Sequence, residues 1–327
     1  MNSTSNRSAD ALRNLPPTTL GTIAICVLIH VIQSALGWNL QLFTMCPRLV
    51  LFTHEFYRVF TSAFFHANLM HIGMNMLSTA AISGSLEKRV GTLRLLVSIW
   101  WAVLLTSAIY MLIAYLAYAV FGYDAWMYQH AVGYSGIIFY LSVLESRMHP
   151  GPRSLFGFVS VPSSVYPWVL LVALQLFMPN LSFLGHLAGI LNGTLEYYGA
   201  LDVLYVSDAY LIHLESLSML RKLVELDGFV ATTTQGQRLR AESSPSAFGF
   251  FHPIRRILFA AKEKIALICA RNIQFSGFGG RATRRSGDDE IEYGVIRPPE
   301  FYNDRSLYAN ETMNDDEERE PLASQMV

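Results

Sequence analysis

Hydrophobic and polar positions divide this chain into long apolar blocks with short polar breaks, followed by a polar stretch. Leu20 to Trp38 is the first apolar block, and it is about long enough to cross a bilayer. Asn39 to Thr61 mixes Pro47, Arg48, Glu55 and Arg58 with aromatic and aliphatic residues. It is too polar to span and too apolar for a free linker, so it reads as a loop lying at the membrane surface. Further spans are expected at about 65–85, 93–121, 131–144, 165–178 and 181–201, the fourth being short. Arg147 to Ser164 reads as a Pro- and Gly-containing loop. The pattern predicts an all-α membrane protein with six transmembrane helices.

Charge sharpens this division. Residues 1–200 carry 9 Lys and Arg against 6 Asp and Glu, while the remaining 127 residues carry 15 and 19. Three units are therefore expected: an N-terminal tail (1–19), a six-helix domain (20–201) and a polar C-terminal tail (202–327). Lys and Arg cluster on one side of the spans, at Arg7, Arg13, Lys88, Arg89, Arg94, Arg147 and Arg153, against Arg48 and Arg58 on the other. That bias places both termini in the cytosol. No small-residue cleavage site follows the first apolar block, which reads as a retained helix. Three scattered cysteines give no disulfide or zinc pattern, and a net charge of −1 gives no basis for a nucleic-acid partner.

In the tail, Ala209 to Leu226 is helix-like, with leucines at 211, 214, 217, 220, 223 and 226. Pro253 to Ala270 is basic and amphipathic, and its leading reading is a helix on the anionic cytosolic leaflet. Gly277 to Asp289 and the acidic run Met313 to Glu320 read as disordered.

Polar side chains inside membrane helices are costly and mark sites. Three groups stand out here. His66, His71 and Asn75 open the second span, and His71 and Asn75 share a helix face. Ser135 opens the fourth, between Gly133 and Gly136. His186 opens the sixth, one turn before a Gly189/Gly193 face that admits a close neighbour. Taken singly, each reads as an ordinary helix-packing residue. Spans two, four and six run in the same direction, so all these groups fall at one shallow depth near the external face. At matched depth Ser135 and His186 can form a nucleophile–base pair. His71, Asn75 and the Ser135 backbone N–H can donate to an oxyanion. No carboxylate in the spans is placed to orient the histidine, so the constellation is a dyad. His30 and His130 read as structural, and His54, His149, His213 and His252 as solvent-exposed.

At these residues the chain resembles the rhomboid intramembrane serine proteases. His66-x4-His71-x3-Asn75, Glu87-x-Arg89-x-Gly91, Gly133-Tyr-Ser135-Gly136 and His186-x2-Gly189-x3-Gly193 agree with that family in order and spacing. The resemblance covers about residues 16–200. It implies a six-helix rhomboid fold with Ser135 as nucleophile, His186 as general base and an oxyanion hole of His71, Asn75 and the Ser135 N–H. It also implies transmembrane protein substrates and no metal or cofactor. Two positions depart from the family. Its first-loop Trp-Arg is Tyr57-Arg58 here, and the aromatic four residues after the serine, often tyrosine, is Phe139. Within the family the chain is most similar to the endoplasmic-reticulum branch, which implies a role in degrading unstable membrane proteins, with Golgi or cell-surface placement as alternatives. Arg255-x4-Ala260-Ala261-x2-Lys264 resembles a helix that binds the p97 ATPase, one residue short and ending in Lys. The rival functional class is a catalytically silent, rhomboid-like factor that binds or retrotranslocates membrane clients.

Overall fold

The structure is a computed structural model, and it describes residues 15–232 apart from 156, 202, 203 and 205. The basic segment at 253–270, with its p97-like pattern, and the runs at 277–289 and 313–320 lie outside the described residues. Among those described, six helices of 12 to 30 residues carry the architecture. They are α1 (Pro17–Leu36), α4 (Leu69–Val90), α5 (Thr92–Phe121), α7 (Ser135–Met148), α8 (Tyr166–Phe177) and α9 (Phe183–Tyr197). Shorter helices fill the connections: α2 (Pro47–Phe52), α3 (Arg58–Phe64), α6 (Ala125–Tyr128), α10 (Asp208–Ser216) and α11 (Arg221–Val224). Helices α1 and α5 are long and apolar enough to cross a membrane.

Local chemistry sets the helix ends. Pro17 starts α1, where a missing N–H costs nothing, and Gly37 ends it in a left-handed conformation. The Asn68 side chain accepts the His71 N–H at 2.8 Å and so starts α4, four residues later than the hydrophobic pattern predicts. At its other end α4 continues through Glu87, Lys88 and Arg89 to Val90. Helix α7 also starts four residues late, because the chain before it is extended and Ala131 pairs with Met45. Ser182 caps α9, accepting the Gly185 N–H at 3.2 Å. The loop expected at 39–61 holds a short 3-10 helix (Leu40–Phe43), α2 and the start of α3. The loop expected at 147–164 contains an antiparallel hairpin of β1 (Pro152–Leu155) and β2 (Val159–Pro162).

Helix α9 packs along α7 and α5, α1 along α4, and α4 along α7. The main core cluster joins α4, α5 and α7 through Leu86, Leu95, Ile99, Tyr134, Leu141 and Leu144. Glu87 belongs to this interior and is fully buried. Its carboxylate accepts the Thr18 and Thr19 N–H groups at 2.8 Å each and the Thr19 hydroxyl at 2.7 Å. Glu87 therefore caps α1 from a neighbouring helix, where the helix dipole favours negative charge. Arg89 donates to Met148 O, at the C-terminal end of α7.

Residues beyond the expected boundary at 201 return to this body. Asp208 pairs with Arg94. The Thr92 N–H, unsatisfied within α5, donates to Val230 O at 2.8 Å, and the Val230 N–H donates to Thr92 Oγ1 at 3.0 Å. The Thr232 N–H donates to the Glu215 carboxylate. The helix-like stretch at 209–226 is interrupted at Leu217, between α10 and a short 3-10 turn.

Candidate active site

The approach to Ser135 is built by backbone hydrogen bonds. Met45 and Ala131 exchange N–H···O bonds of 2.8 and 2.9 Å, and the Gly133 N–H donates to Ser62 O at 2.8 Å. Gly133 has φ of +112°, and a Cβ there would lie 2.6 Å from the His71 ring. Only glycine meets both demands. Beside it, fully buried His66 accepts the Tyr134 N–H at Nε2 (3.4 Å), while Nδ1 lies 3.2 Å from Phe64 O. Those two contacts select the tautomer protonated on Nδ1 and hold the turn from which α7 begins.

Ser135 is the first residue of α7, and its Oγ lies 2.9 Å from His186 Nε2. His186 sits in the first turn of α9 and is 3% exposed. The Phe139 ring stacks on its imidazole, with centroids 4.5 Å apart at 29°. Phenylalanine thus keeps the stacking role without a hydroxyl. The approach of α7 to α9 depends on glycine: a Cβ on Gly189 would fall 2.1 Å from Gly136 O, and one on Gly193 would fall 2.7 Å from Tyr140 O. The cavity beside the pair measures about 60 Å³ and is lined in part by Ser62, Thr106, Ser107, Tyr110 and Ser182. Its volume is enough for water, and those hydroxyls offer it partners within a mostly apolar lining.

The expected oxyanion donors are differently placed. The His71 ring lies against Gly133, immediately before Ser135. The Ser135 N–H, at the start of α7, has no carbonyl within its own helix to bond. Asn75 lies one turn further along α4, and its amide donates to His71 O at 2.8 Å. In this state Asn75 braces the helix carrying His71.

Arg58 lies apart from the pair and is 3% exposed. It donates to Gln41 O and Thr44 O at 2.7 and 2.9 Å and pairs with Glu55. It thereby pins the connection between α1 and α4. Tyr57 is exposed, its hydroxyl donates to Glu55, and its ring lies under the Arg58 guanidinium. Burial raises the Glu55 carboxyl, but hydrogen bonds from Arg58, Tyr57 and Thr53 outweigh it and leave the group below its ordinary value of 4.5. A lowered folded value means that this stabilisation is fully present above the unfolded value and is lost as pH falls through the folded one. Thermal unfolding in detergent should therefore show a loss of stability on acidification below about pH 4.5. Glu55→Gln should remove part of that slope, and an unchanged slope would contradict the assignment.

His54 and His213 are exposed, as expected. His149 is a correction: it is half-buried and lies 3.1 Å from Glu145, because α7 extends to Met148 and brings the two one turn apart. His130 lies 2.6 Å from Thr44 Oγ1. Two polar contacts in α9 were not foreseen. Asn192 is fully buried and donates to Thr106 Oγ1 at 3.0 Å, and the Tyr140 hydroxyl donates to buried Glu196. Both could have been flagged as polar residues inside an apolar span. Glu196 lies ten residues along α9 from His186, about 15 Å.

A model of the rhomboid domain matches residues 53–202. Rhomboid-like protein 15 of Arabidopsis thaliana is 32% identical over 224 residues, covering 67% of this chain and 55% of that protein. Rhomboid-related protein 4 of Homo sapiens is 32% identical over 193 residues, covering 58% and 59%. Rhomboid-type serine protease 2 of Candida albicans is 28% identical over 220 residues, covering 64% and 74%. The matched stretch spans little more than half the length of the first two of these relatives. Members of this family are integral membrane proteins, and with a rhomboid domain at 53–202 the chain belongs to the rhomboid family.

Proposed function

We propose that this protein is an intramembrane serine endopeptidase that cuts transmembrane segments of other membrane proteins. The observation that carries the reading is the 2.9 Å contact between Ser135 Oγ and His186 Nε2. Both groups a nucleophilic hydrolase needs are present and within reach of each other, which favours catalysis over a silent client-binding role. The Candida relative, named a rhomboid-type serine protease, points to the same chemistry.

In the proposed reaction Ser135 Oγ attacks the scissile carbonyl carbon while His186 Nε2 takes the hydroxyl proton. The carbonyl oxygen becomes an oxyanion facing the Ser135 N–H and His71. The C–N bond breaks as the imidazolium returns its proton to the departing amine. A water molecule, which the adjacent cavity has room to hold, then attacks the acyl carbon and gives a proton to His186; the bond from that carbon to Ser135 Oγ breaks as the imidazolium returns the proton to Oγ, which frees the acid product and restores the Ser135 hydroxyl and the neutral imidazole. The site needs a peptide in extended form, so substrates of weak helical propensity are favoured. The six longer helices would cross the bilayer with both termini in the cytosol, as the Lys and Arg bias requires. The endoplasmic reticulum is the proposed membrane and turnover of unstable membrane proteins the proposed pathway, with a p97-type ATPase as a partner of the tail.

The reading is tested with a serine-directed fluorophosphonate. The folded protein in detergent should be labelled, and mass spectrometry should place the adduct on Ser135. His186→Ala should slow labelling by about 10²-fold or more. Folded wild-type protein that stays unlabelled and cleaves none of several transmembrane substrates would establish the silent client-binding role instead.

A further inference from the structure

The geometry points to Tyr140 and Glu196 as positioning residues that fix the axial register of the nucleophile helix against the base helix. This inference rests on the proposed hydrolytic role of Ser135 and His186. Helix α7 carries Ser135 and Tyr140, and helix α9 carries His186 and Glu196. The two helices meet through glycine, with Gly189 against the backbone of Gly136 and Gly193 against the backbone of Tyr140. The glycines allow close approach, and the side chains beside them, Phe139 and Val143 against Leu187 and Ile190, make apolar contacts that are non-directional and hold the axial position less sharply than a hydrogen bond does. A slip of one residue is about 1.5 Å, enough to break the 2.9 Å bond between Ser135 and His186.

That bond cannot hold the register itself, because it is broken and remade in every catalytic cycle. The Tyr140 hydroxyl, donating to Glu196 Oε2, supplies a second direct bond between the same helices. It lies about 7.5 Å beyond Ser135 along α7 and about 15 Å beyond His186 along α9, outside the reacting atoms. Tyr140 is fully buried and Glu196 is 6% exposed. A buried carboxylate is costly where an aliphatic residue would pack, so a directional role accounts for its presence better than packing does. A hydrogen bond to a carboxylate is short and directional, and those properties resist sliding.

The experiment uses the full chain in detergent, with wild type, Tyr140→Phe, Glu196→Leu and Glu196→Gln. Three quantities are read: kcat and KM on a transmembrane substrate, the rate of fluorophosphonate labelling per folded molecule, and the 15N shift of His186 Nε2, assigned by comparison with His186→Ala. Tyr140→Phe and Glu196→Leu should each lower kcat and the labelling rate about ten-fold, with KM changed by less than about two-fold. Both should move the His186 Nε2 shift toward that of an imidazole without a hydrogen-bond partner. Glu196→Gln keeps an acceptor for the Tyr140 hydroxyl and should recover most of the rate. A lower melting temperature with unchanged labelling rate and 15N shift would reduce the pair to a packing role and overturn the inference. So would a Glu196→Gln variant as slow as Glu196→Leu. If wild type is neither labelled nor active, the hydrolytic reading fails, and the 15N arm still decides whether the pair sets the register.

Discussion

Ser135→Ala should remove cleavage of a transmembrane substrate almost completely, by about 10⁴-fold or more, while the protein still folds and inserts. The magnitude follows from chemistry: among the described residues the hydroxyl bonded to His186 Nε2, at 2.9 Å, is that of Ser135, and a methyl group cannot form the acyl bond. Folding should survive because the Ser135 backbone still starts α7 and the approach is held by Gly133 and Tyr134 bonds to Ser62 and His66. The check is a liposome assay with purified wild type and variant at matched melting temperature. Cleavage by the alanine variant above about 1% of wild type would place the nucleophile elsewhere.

The second large effect is expected at a residue with no side chain. Gly189→Ala places a Cβ where the nearest atom, Gly136 O, would be 2.1 Å away, and Phe139 Cβ 3.1 Å away. Backbone cannot turn aside as a flexible side chain can, so α7 and α9 must separate by about 1 Å to restore ordinary contact. Ser135 and His186 ride on those two helices. A displacement of that size costs about 10²-fold in rate, and the strained interface costs about 1–3 kcal/mol in stability. Gly73→Ala is the matched control, since nothing lies within 4 Å of a Cβ there. Comparing kcat and melting temperature for the two variants isolates the close approach from the general effect of losing a glycine. Equal activity in both would show that the helices can part without harm to the site.

The pairing of Ser135 with His186 could be read from sequence because the polar residues concerned sit at helix starts and at fixed spacings. His71 and Asn75 one turn apart, Ser135 between two glycines, and His186 ahead of Gly189 and Gly193 are patterns that survive without coordinates. Bonds between distant residues were not legible. Glu87 reads in sequence as one charge in a polar helix end, yet it reaches Thr18 and Thr19, 69 and 68 positions earlier, and that partnership has no local signal. Tyr140 looked like an aromatic within an apolar run, and its link to Glu196 spans 56 positions. Helix starts slipped by four residues at α4 and α7 because hydrophobicity continues through Phe65 and Ala131, while the backbone there is committed to a cap and a bridge. Asn75 is expected at the oxyanion from its helix face, its depth and the family resemblance; in the structure one N–H of its amide donates to His71 O, a contact decided by side-chain direction that spacing does not reveal.

The bonds between Thr92 and Val230 also determine where mechanical load enters the molecule. Because Thr232 is tied to Glu215 and Val230 to Thr92, a pull on the chain beyond residue 232 is met first at Glu215 on α10 and then at the N-terminal end of α5. Thr92 lies fourteen residues, about 21 Å, along α5 from Thr106, which lines the cavity beside Ser135. Traction on that end of the chain would therefore strain moorings remote from the Ser135–His186 pair, and α5 could be tugged without that contact being the first to part.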